Sequence, residues 1–363
     1  MAKSEQRRDK LRRLIRKADV DAMLVTNFAN VTYLTGFTGD DSFLLVTRDK
    51  DILLSDPRYT EQLEEECPGL ELAIRNSGIK MGDFLGKVIR QAHVSRLAIE
   101  ALSMTVSMWN FLETIVSRVE LVPVEGLVEQ LREIKDRDEI NAIRDAIECA
   151  QRAFAVIRAS LRNGRSENEI AHEIEHQIRW FGGSGCSFSP IVAIGPRAAL
   201  PHAVPGEQQI GESDFLLIDW GARNRLYVSD LTRILVTGRI SPKLERIYGV
   251  VSKAQEAAIE LVRPGAMMHD VDAAARNVIA AAGYGKRFGH SLGHGIGLEI
   301  HEGPRLAQNE FRPLKAGMVV TIEPGIYLPG WGGVRIEDDL LVTRNGCEVL
   351  TTVPKELADC VID

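Results

Sequence analysis

The chain has 363 residues, 45% hydrophobic and 26% charged, with a net charge of −7. That length suits two domains rather than one, and the acidic balance excludes nucleic acid as the main partner, because phosphate binding needs clustered Lys and Arg. No apolar run approaches the ~18 residues of a membrane span, and the five cysteines (Cys67, Cys149, Cys186, Cys347, Cys360) are odd in number, widely spaced and without a CxxC pair, which predicts neither a disulfide framework nor a structural zinc knot and fits a reducing cytoplasm.

In chain order, residues 3–18 predict an amphipathic surface helix. Leu11, Leu14, Ile15 and Ala18 fall at helical spacing, and Glu5 and Asp9 with no apolar core argue against a targeting peptide. Strand-like runs follow at 22–26, 43–47 and 52–55, then a helix at 59–65, a strand at 70–74, a helix at 84–92 and a strand at 97–99. This alternation predicts an α/β domain over residues 1–130.

The remainder, residues 131–363, opens on a long helix whose buried stripe is Ile140, Ile143, Ile147, Ala150, Phe154, Ile157 and Leu161, with Gly164 as its expected C-cap. Ser166 and Glu169 form a capping box for a second helix striped by Ile170, Ile174, Ile178 and Phe181. Strand-like runs fill 187–237. Ser241 and Pro242 then open a third helix as N-cap and first residue, lined by Leu244, Ile247, Val251 and Ala254, and a fourth runs over 270–282 up to Gly283. Strand-like runs continue to 353. The order helix–helix–strands therefore occurs twice, without a visible sequence repeat.

Two strand pairs carry acids. Phe215–Ala222 and Leu226–Arg233 read as a hairpin turning on Asn224 and Arg225, which places Asp219 opposite Asp230. Residues 318–327 and 333–343 read as a second hairpin centred on Gly330, which places Glu323 opposite Glu337. Directly opposed side chains lie ~4.5–5.5 Å apart, and like charges there are destabilising unless a cation sits between them. The register is an assumption, and a one-residue slip would undo the pairing. Between the hairpins, His290, His294 and His301 fall within twelve residues of a chain that has eight His, in a glycine-rich stretch that allows close backbone approach. His93, His172, His176 and His269 have structural readings. His172 and His176 share a helix face at i, i+4, with Glu173 directly after His172, and could bind zinc, but the structural reading is preferred.

At these residues the chain resembles the creatinase/prolidase/methionine-aminopeptidase family of metal-dependent enzymes. The motifs are Ile-Asp219-Trp-Gly, Ser-Asp230-Leu-Thr-Arg, Gly-His290-Ser-Leu-Gly-His294-Gly-Ile-Gly, Thr-Ile-Glu323-Pro-Gly-Ile-Tyr and Gly-Val-Arg335-Ile-Glu337-Asp. The first domain looks like a creatinase-type N-domain through Asn30-Val-Thr-Tyr-Leu-Thr-Gly-Phe-Thr-Gly39 and Asp56-Pro-Arg-Tyr-Thr-Glu-Gln62. The resemblance implies an α/β (α+β) chain: a creatinase-like N-terminal domain over 1–130, then a pita-bread metallopeptidase domain with pseudo-two-fold halves over 131–363. It implies five metal ligands, Asp219, Asp230, His294, Glu323 and Glu337, with Asp230 and Glu337 bridging two ions. It also implies substrate-site roles for His202, His290 and His301, and places Arg335 near the substrate carboxylate.

Four carboxylates and one imidazole make a hard, oxygen-rich set, which favours Mn²⁺, with Co²⁺ and Zn²⁺ as alternatives. Glu323 is the expected proton carrier, and His301 and His202 are expected to stabilise the developing oxyanion or hold the substrate. The expected partners are proline-containing peptides and a second copy of the chain in a homodimer. The N-domain wording resembles aminopeptidase P, which predicts cleavage before proline in X-Pro-Y; the alternative is an Xaa-Pro dipeptidase (prolidase). Creatinase lacks the metal ligands, methionine aminopeptidase usually lacks such an N-domain, and a non-catalytic pita-bread binding module would have lost ligands. Arg335 reads two ways, as an anchor for a substrate carboxylate or as a support for the metal-site acids.

Overall fold

The computed structural model describes residues 3–362 and divides into two compact units, 1–132 and 133–363. The first contains a six-stranded mixed sheet in the order Glu71–Ile74, Asp51–Ser55, Phe43–Val46, Ala22–Val25, Arg96–Glu100, Glu120–Val124. Ala22–Val25 is buried along its whole length, as a central strand covered on both faces must be. Leu85 and Ile89 from the Met81–Gln91 helix and Leu112 from Val106–Ile115 pack into its core. The helix Phe28–Thr35 was not predicted, because seven of its eight residues are buried and no polar stripe marks the period. Asn27 caps its start through the Asn30 amide, and Gly36 ends it at φ 86.

The second unit begins with the helix Arg137–Ser160, opened by an Asp136/Glu139 capping box. It stops at Ser160, and Leu161 is already extended, so Gly164 is not its C-cap. Gly164, at φ 86, instead turns the connection and donates to the Ile210 carbonyl. The Ser166/Glu169 box opens Glu167–Trp180. These two helices cover a three-stranded sheet of Ile191–Ile194, Phe215–Trp220 and Leu231–Val236. Trp220 stacks on Phe154 at 4.2 Å and donates its indole N–H to the Ala150 carbonyl, which fixes the strand that carries Asp219 to the helix behind it.

The pattern then recurs. Pro242–Ile259, capped by Ser241, and Met268–Ala281 pack on each other and on a five-stranded sheet in the order Glu302–Leu306, Gly293–Gly295, Val319–Ile322, Asp338–Val342, Cys347–Val349. Thr232 and Glu337 form an isolated β-bridge between the two halves. No helix among the described residues is long and apolar enough to cross a membrane.

Candidate metal centre

The first hairpin differs from expectation. Asp219 faces Thr232, not Asp230. The turn lies one residue further along, at Arg225 and Leu226, both with positive φ (46 and 72), the backbone of a two-residue hairpin turn. Arg and Leu do not advertise that conformation, so the sequence pointed to Asn224 instead. The slip moves the partner by two residues and therefore does not flip the face. Asp219 and Asp230 remain close enough for the charge of one to raise the pKa of the other.

In the second hairpin Ile322 faces Asp338 and Gly325 faces Arg335, a constant register that brackets Glu323 and Glu337 as opposed residues. Pro324 has no N–H to give a ladder, and both long predicted strands break here into two, Val319–Ile322 with Gly325–Leu328 and Gly332–Arg335 with Asp338–Val342. At the break Glu337 turns to the other half: its N–H donates to the Thr232 carbonyl at 3.2 Å, and the Thr232 hydroxyl donates to its Oε2 at 2.6 Å.

His294 enters on the strand Gly293–Gly295. A Cβ on Gly293 would lie 2.0 Å from the Thr321 carbonyl oxygen, and one on Gly295 would lie 2.1 Å from that of Gly303. Only Gly-His-Gly fits between those two backbones. The His294 Nδ1 contacts the Gly295 carbonyl at 3.2 Å. With its proton there, the Nε2 lone pair faces the acids, 3.4 Å from Glu323 Oε1 and 3.6 Å from Asp230 Oδ2. Asp230, His294 and Glu337 present ligand atoms all within 4.8 Å of one another.

Burial sets the electrostatics. Asp230, Glu323 and Glu337 are all pushed to higher pKa first by burial; Asp230 is then raised by the charges of Glu337, Asp219, Asp339 and Glu323. Glu337 rises to about 8. Asp219 is raised by burial too, but its neighbour Arg335 opposes the shift. Burial also lowers His294 to about 4, so this imidazole is neutral and available as a ligand at neutral pH. Two carboxylate oxygens of the set, Asp219 Oδ1 and Glu337 Oε1, are buried without a hydrogen-bond partner. Orphaned carboxylate oxygens beside a neutral imidazole need a partner, and the residues present fit a divalent cation.

Arg335 is 3% exposed. It donates to Asp219 Oδ2 at 2.5 Å, to the Tyr327 hydroxyl at 2.8 Å and to Thr232 Oγ1 at 3.1 Å. Of its two sequence readings, the contacts match support of the acids. Around the acids, His301 stacks edge-on against His294 at 4.4 Å. His290 Nε2 lies 3.0 Å from the Tyr327 hydroxyl, and its Nδ1 lies 3.9 Å from Glu323 Oε2. Burial lowers His290 to about 4. His202 is exposed, and its charge is felt at Asp219, His290 and His301. His172 and His176 stand exposed on their helix.

Four supporting residues escaped the sequence reading. Tyr327, raised to about 12 by burial, links His290 to Arg335. Thr232 joins the two halves. Asp339 accepts the Asp230 backbone N–H at 3.1 Å while its other oxygen is orphaned. Arg305 pairs in register with His294, is exposed, and makes no ion pair among the described residues. Tyr327 and Thr232 lie inside the motifs already quoted, but nothing in their spacing says what they touch.

A hydrolytic centre built on buried carboxylates and one imidazole, at the seam of two helix–helix–sheet halves, defines the class as a metallohydrolase. Residues 141–344 match the model of metallopeptidase family M24, and residues 7–134 match the creatinase/prolidase N-terminal domain. An Xaa-Pro dipeptidase from Pyrococcus horikoshii is 37% identical over 94% of this chain and 95% of its own. Among solved structures, an Xaa-Pro dipeptidase from Bacillus anthracis superposes with a TM-score of 0.94 at 39% identity, over 98% of this chain and 99% of that one. An X-Pro aminopeptidase from Thermotoga maritima gives 0.87 at 36% identity, over 95% and 99%. The chain belongs to metallopeptidase family M24, with a creatinase-type N-terminal domain ahead of a pita-bread catalytic domain, and is a metallo-exopeptidase.

Proposed function

We propose that this exopeptidase is an Xaa-Pro dipeptidase that hydrolyses X-Pro to a free amino acid and proline. The observation that carries the reading is the end-to-end similarity to Xaa-Pro dipeptidases, at 37% and 39% identity. The sequence alone favoured the aminopeptidase, and the Thermotoga maritima similarity keeps that activity as the second reading. A dipeptidase must also grip a free proline carboxylate. Arg335 is occupied by Asp219, whereas Arg305 is exposed, stands opposite His294, and its charge bears on both His294 and His301. Its planar fork matches a carboxylate.

In this reading Asp219, Asp230, His294, Glu323 and Glu337 hold two divalent ions, Mn²⁺ by preference for an oxygen-rich set. Such ions supply Lewis acidity and a water of lowered pKa. Glu323 takes the proton of the attacking water and passes it to the proline nitrogen as the bond breaks. That nitrogen carries no hydrogen in the peptide, and the water proton relayed by Glu323 becomes the N–H of the released proline. His301 and His202 donate hydrogen bonds to the oxygen of the scissile carbonyl, where charge develops, and His290 contacts the substrate beside the bond. The five cysteines are all free, which suits a cytoplasmic enzyme.

Turnover of an X-Pro dipeptide beside the matching X-Pro-Y tripeptide, with Mn²⁺, tests the reading. The dipeptide should be preferred by roughly tenfold or more in kcat/KM, the worth of one charge-assisted contact, and Arg305→Ala should erase that preference. A wild-type preference for the tripeptide makes the chain an aminopeptidase.

A further inference from the structure

The two halves of the second unit carry one device twice, outside the predicted ligands. In the first half, Glu167 opens its helix and is 0% exposed. Its carboxylate accepts from the Ile194 amide at 2.8 Å, the Gly206 amide at 2.9 Å and Arg197 Nε at 2.8 Å. Arg197 donates onward to the Val204 carbonyl. The backbone closes the same loop, since the Glu167 amide donates to Gln208 O and the Asn168 amide to Gly206 O. Both ends of segment 194–206 are pinned, and His202 lies within it.

In the second half, Asp272 lies in the helix Met268–Ala281 and is also 0% exposed. It accepts from the Leu292 amide at 3.1 Å and takes Arg276 in a two-pronged pair at 2.8 Å. Arg276 donates onward to the carbonyls of Phe288 at 3.0 Å and His290 at 2.9 Å. Segment 288–292, which carries His290, is pinned from the same side by the same chemistry. In each half the second helix supplies a buried carboxylate, the carboxylate holds an arginine, and the pair grips main chain around one histidine.

A buried ion pair is a poor source of net stability but defines a single geometry when every donor and acceptor is used. That geometry matters most at His202, whose ring makes no hydrogen bond among the described residues, so its place is set by its backbone. His290 has the Tyr327 hydroxyl as well.

We propose that Glu167–Arg197 and Asp272–Arg276 are matched positioning clamps that hold His202 and His290 over the bound peptide. None of the four is a catalytic residue; each acts through its histidine, and the inference rests on the Xaa-Pro peptidase reading. Arg197, with a side chain 35% exposed, can be removed without opening a core cavity. Arg197→Ala should lower kcat/KM about 10- to 100-fold, the cost of a small misplacement, with both metal ions retained. In a His202→Ala background the same change should cost less than about twofold, while in a His290→Ala background its full effect should persist. Arg276→Ala should show the mirrored pattern, and Arg197→Lys, which reaches Glu167 but not Val204 as well, should recover part of the loss. Equal losses in the His202→Ala and wild-type backgrounds, or loss of metal, would overturn the proposal. Side-chain NMR of the zinc-loaded chain reads the clamp without turnover: Arg197→Ala should shift or broaden the His202 imidazole signals and leave those of His301 in place. Should the wild type cleave no proline peptide, the substrate reading falls while the NMR comparison still stands; unmoved His202 signals sink the clamp whatever the activity.

Discussion

Asp219 and Asp230 come from one hairpin, yet their surroundings differ sharply. Asp219 shares its buried corner with a guanidinium and accepts a hydrogen bond from Arg335. Asp230 has Glu337, Asp219, Asp339 and Glu323 as charged neighbours, and every one of them pushes its pKa further up. The first acid carries its counter-charge in the fold; the second must receive one from outside. A metal centre thus has a preorganised side, fixed by Arg335, and a side completed only by the ions.

The largest effect expected from breaking this contrast is at Asp230. Asp230→Ala should abolish turnover and release at least one ion, because the proposed two-ion reading makes its carboxylate a ligand; two tightly held ions with normal turnover, by metal analysis and peptide assay, would remove Asp230 from the centre. Next is His301, which acts on the substrate side: His301→Ala should lower kcat on the order of 10²–10³, the worth of one lost oxyanion donor, with metal content unchanged. Loss of metal there would make His301 a ligand. Arg335→Met sharpens the comparison from the other side, since breaking a buried pair costs about 3–5 kcal/mol. Denaturation should show that loss in the metal-free protein and a smaller one in the loaded protein, where ions replace the missing charge. An equal loss in both forms would mean that Arg335 and the ions do not share a task.

Much of this centre was legible in the sequence because local rules decided it. The helix stripes and the Ser166 and Ser241 caps are local. So is the Glu323/Glu337 register, since the turn around Gly330 announces itself. The Asp219 pairing failed because Arg225 and Leu226 adopt positive φ without the Asn-Gly chemistry that signals it. Arg335 could not be assigned because spacing places a side chain on a face without naming its partner, and that partner comes from the other half. Asp339, Thr232 and Arg305 were invisible for the same reason: their roles arise across strands that meet only in three dimensions. Glu167 and Asp272 carry no signal in the sequence that sets them apart from other helix acids, although both are fully buried.

The smallest expected effect is on pH dependence. Glu337 has a folded pKa of about 8 against an ordinary 4.5, so its contribution is present at low pH and lost as pH rises through 8. His294 and His290, at about 4 against 6.5, contribute above 6.5 and lose that contribution as pH falls toward 4. Between pH 6.5 and 8 only the acids change. The Tm of the metal-free protein should therefore fall by roughly 2 °C or more across that window, and the loaded protein should show no such fall. A flat metal-free profile would mean that the acids stay ionised in the fold.

Burial raises the proton affinity of Asp230, Glu323 and Glu337, so divalent ions compete with protons for these carboxylates. Calorimetric titration of the chelator-stripped protein with Mn²⁺ near pH 7, in two buffers of different ionisation enthalpy, tests it most directly, because metal binding to protonated ligands must release protons. Two ions should bind per chain, with net proton release. Binding of one ion or none, or of two with no proton released, would contradict it.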